Sequence, residues 1–190
     1  MHVAIDSPAA ISQPDDAPYL ARRPYALETA SVASFAVALA VIESGVLAVF
    51  AKQTFAGIVP ERPLNFAVAL LGSMDALANI LSFAWSNLSH GRPKIPWINA
   101  LQVGVLLCIA ALSVAPRTPL GLVMLVACAL AARTCWSGMI TIRPTVWRAN
   151  YPPATRASLV GRLSRLQVLI VAVVAAGLGL AADRGLSLFH

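Results

Sequence analysis

The sequence predicts an all-α fold, a polytopic membrane bundle with five transmembrane helices, and three observations predict it. Apolar residues make up 58% of the chain and charged residues only 12%, about half the charged share of an ordinary soluble domain. The apolar residues gather into five runs of spanning length, for which a bilayer asks about 20 residues at 1.5 Å each. The segments between the runs hold Pro, Gly and most of the basic residues, which is where a chain that crosses a membrane turns.

Taken in order, residues 1–24 contain Asp6, Asp15, Asp16 and four prolines without an apolar run. That is the composition of a disordered tail, and its acidic, Pro-rich character is unlike a signal peptide. The bundle is expected over residues 25–184, with spans near 27–50, 64–88, 97–115, 120–142 and 163–182, and a short C-terminal end at 185–190. The connectors are 51–63, 89–96, 116–119 and the stretch 143–165. This last stretch carries Arg143, Arg148, Arg156, Arg162 and Arg165, the pair Pro152 and Pro153, and the aromatics Trp147 and Tyr151. It reads as a basic loop at a membrane surface, because adjacent prolines break a helix and aromatics settle at the interface.

Lys and Arg set the orientation. With the N-terminus inside, nine basic residues flank the spans on the inner side and four (Lys52, Arg62, Arg117 and Arg184) on the outer side. The bias places the N-terminus in the cytoplasm and the chain in the cell (inner) membrane as a multi-pass protein in contact with the lipid bilayer. The net charge of +6 does not point to nucleic acid, since the arginines lie in short segments beside apolar runs rather than on a polar face. Cys108, Cys128 and Cys135 fall inside apolar runs without metal-ligand spacing, and no cofactor motif is present.

Three ionisable residues lie in the interior of the expected spans, away from their first turns: Glu43, Asp75 and Arg133. Each is unfavourable by a few kcal/mol at the bilayer centre, so each is expected to face protein or water. Counted from the outer helix ends they stand at about 11, 17 and 20 Å, near one layer. Such a layer serves either a proton or substrate path or a salt bridge that packs the bundle. Asp75, Asn79, Ser82 and Ser86 recur at i, i+4, i+7 and i+11 and would stripe one helix face, lining a cavity or bonding helices together. Trp97, Trp136, Trp147 and Tyr151 read as interfacial anchors, and Asn150, Tyr151 and Pro152 as a candidate gate. Small residues such as Gly72, Gly138, Gly177 and Gly179 would let helix backbones approach.

The segment 86–94 reads Ser-Asn-Leu-Ser-His-Gly-Arg-Pro-Lys. It is similar to the loop after the second helix in major facilitator superfamily transporters, with Leu88, Ser89, Gly91, Arg92 and Lys94 matching and His90 in place of an Asp-Arg pair. Arg133, followed by Ser137 and Gly138, and the segment from Asn150 through Pro152 and Arg156 to Gly161 resemble that family's fourth helix and its connection to the fifth. The resemblance covers about residues 27–183 and implies an incomplete N-terminal six-helix lobe. It also implies that Glu43 and Arg133 face a central cavity and that His90, Gly91, Arg92, Lys94 and the 148–161 residues gate its cytoplasmic side.

The expected function is therefore secondary transport of a small-molecule substrate, proton-coupled, by a partial chain that self-associates or joins a missing C-terminal half. The alternative is a non-transporting membrane protein that scaffolds another complex. An enzyme is not expected, because the spans carry no His/Glu metal pair, no Gly-x-Ser-x-Gly elbow and no aspartate cluster.

Overall fold

The computed structural model describes residues 19–183, in seven helices. They are α1 (Tyr19–Val41), α2 (Ser44–Phe55), α3 (Glu61–Ile80), α4 (Ser82–Ser89), α5 (Lys94–Ser113), α6 (Pro119–Asn150) and α7 (Pro153–Asp183). Among the described residues there is no strand, only an isolated bridge between Ala56 and Val59. Helices α1–α2 and α3–α4 each form one interrupted crossing, so five segments are long and apolar enough to span a membrane. The C-terminal end at 185–190 and the tail up to residue 18 lie outside the described residues. Residues 19–24, expected in the tail, form the first turns of α1.

The first crossing breaks at Ile42 and Glu43, where Glu43 adopts an extended conformation (φ −64°, ψ 132°). The local cause is the Ser44-Gly45 pair that follows, since Gly/Ser pairs are a common site of sharp helix kinks. The second crossing kinks more gently at Leu81 (φ −78°, ψ −6°). There the Ser137 hydroxyl of α6 donates to the Ala78 carbonyl at 2.8 Å, a contact between parallel crossings.

The stretch read as a basic loop, 143–165, is helical apart from Tyr151 and Pro152. Helix α6 runs for 32 residues, about 48 Å, well beyond the roughly 30 Å of hydrocarbon. Arg143 and Arg148 therefore ride on its projecting end. Pro153 opens α7 at its first position, where the missing N–H is not needed. The Pro152 carbonyl accepts from the backbone N–H groups of Thr155 and Arg156 at 3.2 and 3.1 Å. Pro144 sits within α6, so a single proline there did not end the helix. The other end of α6 is capped by Thr118, whose hydroxyl accepts from the Gly121 N–H at 3.2 Å.

Helix α6 is the spine. It packs along α5 for most of α5's length and also against α3 and α4, while α2 packs on α3. Their shared core includes Leu47, Phe55, Leu71, Met74, Val105, Leu125 and Met139. Gly138 is where α4 and α5 both close on α6. A Cβ there would stand 2.8 Å from Leu101 Cδ1 and 2.9 Å from the Trp85 ring. Gly72, Gly177 and Gly179 instead have nothing within 4 Å, so of these four small residues only Gly138 marks a close approach. Trp136, expected at the interface, is 4% exposed and belongs to the core. Helix α7 lies along α1 and touches α6 only sparsely.

Candidate functional site

Two polar constellations stand out, one at mid-depth and one at the end of the bundle that carries most of the arginines. At mid-depth the Arg133 guanidinium (Nη2) is ion-paired with Asp75 Oδ1. The meeting follows from register. Asp75 is fourteen residues past Glu61, the start of α3, and Arg133 is fourteen past Pro119, the start of α6. On parallel helices both lie about 21 Å from the same end. Arg133 is the more enclosed, its side chain 14% exposed against 35% for Asp75.

Glu43 is twelve residues from the end of α2 at Phe55, about 18 Å down, in the same layer. Among the described residues it makes no ion pair with Arg133; the guanidinium belongs to Asp75. Its distinction is its position in the break. The chain leaves helical geometry there, and the first N–H groups of α2 lack intrahelical acceptors. The Glu43 side chain does not cap them. Non-helical backbone at membrane depth is stable only where protein or water covers it.

The polar stripe is interrupted. Asn79 is exposed one turn beyond Asp75, and the kink at Leu81 separates both from the half-buried Ser82 and the exposed Ser86. In the 86–94 segment, Gly91 has φ +67°, a left-handed geometry that favours glycine in the α4–α5 turn. Lys94 donates its ammonium to the Ser89 carbonyl, capping α4 with a cation. Arg92 lies over the Trp97 ring at 5.7 Å, and Trp97 meets Trp85 edge-on at 6.5 Å. His90 is exposed at the end of α4.

The second constellation centres on Glu28 of α1, a residue in the first turn of the first expected span. The Trp147 indole N–H donates to Glu28 Oε1, and the Tyr151 hydroxyl donates to Oε2 at 3.1 Å. The Arg143 guanidinium (Nε) lies 3.9 Å from Oε1. Arg143, Trp147 and Tyr151 fall at i, i+4 and i+8, one face of α6 and its continuation. That period was the signal available in the sequence. Tyr151 is 2% exposed, and burial, followed by the Glu28 carboxylate and the nearby Tyr25, pushes its phenol well above the ordinary tyrosine range. Arg156 donates through Nη2 to the carbonyls of Tyr151 at 2.9 Å and Arg148 at 3.3 Å. Arg148 and Asn150 are exposed, and Gly161 is half-buried on α7 with open space beside it. The predicted gate residues thus divide: Tyr151 and Arg156 hold the junction, Arg92 and Lys94 engage the ends of α4 and α5, Gly161 is half-buried on α7, and His90, Arg148, Asn150 and Pro152 are exposed.

The three free cysteines are half-buried, and among the described residues no group of His, Cys, Asp and Glu is placed to hold a metal. No family model, curated protein or solved structure matches the chain.

Proposed function

We propose that this chain is a membrane transport protein of the secondary-transporter type, moving a small-molecule solute through the layer defined by Glu43, Asp75 and Arg133. The observation that carries the reading is the Asp75–Arg133 pair at the depth where the first crossing breaks. Packing alone does not require charges there, and each is disfavoured by a few kcal/mol in lipid. A broken helix beside a charged group is a recurrent arrangement at transporter binding sites, because exposed backbone groups and carboxylates can take over a solute's hydration. The half-exposed carboxylate of Asp75 would exchange protons with water while solute charge competes for Arg133, which couples the two movements. The likeness of the 86–94 and 150–161 segments to major facilitator transporters supports the same reading, as does the bias of basic residues for a cytoplasmic N-terminus in the cell membrane. Asn79, exposed one turn from Asp75, would face a second copy in such an assembly. In the alternative reading, a scaffold, the charges serve accumulation rather than flux.

The test is proton movement driven by added solutes in proteoliposomes loaded with a pH-sensitive dye. A solute class that drives proton movement with the wild type should fail with Asp75→Asn and Glu43→Gln, while both variants accumulate in the membrane normally. Unchanged flux and pH dependence in both would remove the reading.

A further inference from the structure

The helices divide into two bodies. One comprises α2 to α6, closed around the common core, to which α1 adds Leu39 and Phe35 and α7 adds only Val171 at the edge. The other is the pair α1 and α7, which lie along each other, with Val32, Ala36 and Ala40 buried at i, i+4 and i+8 of α1. Contacts between the bodies are sparse along most of their length, including a long Gln102–Ser31 hydrogen bond at 3.4 Å. Covalently the pair joins the rest at two places, Ile42–Glu43 and Tyr151–Pro152, and both are non-helical. Element-terminal residues of this kind absorb the dihedral changes of a hinge.

At one point the joint is dense. A small apolar cluster of Tyr25, Trp147, Tyr151 and Leu159 surrounds the Glu28 carboxylate, which takes hydrogen bonds from Trp147 and Tyr151 and the charge of Arg143. Arg156 fastens the start of α7 to the same junction through the Tyr151 carbonyl. One carboxylate therefore bears the polar contacts by which α1 is held to the end of α6, beside a hinge.

From this arrangement we infer that α1 and α7 form a paired arm that swings against the α2–α6 body about Glu43 and Tyr151–Pro152, and that Glu28 is the latch that holds it closed. The arm is a property of the packing and stands whether or not a solute crosses. A half-buried, hydrogen-bonded charge suits a latch. Its bonds are strengthened while most of the carboxylate is shielded from water, and once the first contact opens, solvent replaces them.

Spin labels report the motion as distances, in protein whose Cys108, Cys128 and Cys135 are replaced by alanine. One pair, at Ala26 and Ala149, spans arm to body; the other, at Ala26 and Ser158, lies within the arm. All three positions are exposed. Glu28→Ala should lengthen or broaden the first distance by more than about 2 Å, the scale of a hinge rearrangement, and leave the second unchanged. Tyr151→Phe, which removes a single hydrogen bond, should give a smaller change of the same kind and guards against a Glu28→Ala protein that fails to fold. If neither variant moves the first distance, the contact is static and the latch is wrong. If both distances change together, α1 has come loose by itself and there is no arm.

Discussion

Arg133→Leu is the perturbation whose consequence follows most directly from the geometry. It removes the guanidinium that is ion-paired with the Asp75 carboxylate at mid-depth. An aspartate at the centre of a spanning helix is disfavoured by about 3 kcal/mol on insertion scales. Asp75 is 35% exposed, so screening reduces the expected loss to about 1–2 kcal/mol. For a chain of this size that corresponds to a fall in melting temperature of about 2–8 °C. Replacing both partners, Asp75→Leu with Arg133→Leu, removes the carboxylate together with the guanidinium and should recover most of the loss, because apolar groups in place of a buried pair are often neutral or stabilising. The assay is thermal unfolding in detergent, followed by labelling of Cys108, Cys128 and Cys135 as they become accessible. If the single variant melts with the wild type, or the double variant melts as low as the single, the two side chains are not energetically coupled and the mid-depth site loses its foundation.

Gly138→Ala should destabilise by about 1–3 kcal/mol in the same assay, since its Cβ meets Leu101 and Trp85 at under 3 Å. Gly72→Ala, with open space beside it, should be neutral or slightly stabilising, and equal effects at the two positions would contradict the packing of α4 and α5 on α6. Tyr151 yields a prediction in pH. Its phenol is held in the neutral form, so its contribution to stability is constant below the ordinary tyrosine value of about 10 and is lost as pH rises above it. Absorbance of tyrosinate, compared between wild type and Tyr151→Phe, should show no Tyr151 step at pH 10; a step there would mean the hydroxyl is not enclosed by Glu28 and its neighbours.

Crossings were legible in the sequence because the bilayer imposes a simple rule, about twenty apolar residues for each passage, and all five runs appear as helical segments. Their ends were less legible. Pro152 and Pro153 were visible as a break, but whether the flanking arginines lay in a loop or on helices that outrun the membrane depended on backbone bonds such as those to the Pro152 carbonyl. Likewise the Ser44-Gly45 pair carried the signal for the broken first crossing, but an apolar run has no periodicity that distinguishes one helix from two.

The sequence by itself determined that three ionisable residues lie in the interior of apolar runs and that Asp75 and Arg133 share a depth, since register along a helix is fixed at 1.5 Å per residue. Which carboxylate takes the arginine was a tertiary decision. It depended on α3 and α6 lying side by side, with Ser137 bonded to Ala78 one turn away, and it left Glu43 at the break. Tertiary structure also made Glu28 a centre. At the start of an apolar run it is one charge among flanking ones, and only the packing of α1 against the junction of α6 and α7 brings Trp147, Tyr151 and Arg143 onto it. Spacing along a helix is local chemistry that the chain carries with it, whereas the identity of a partner more than a hundred residues away is settled by which helix faces meet.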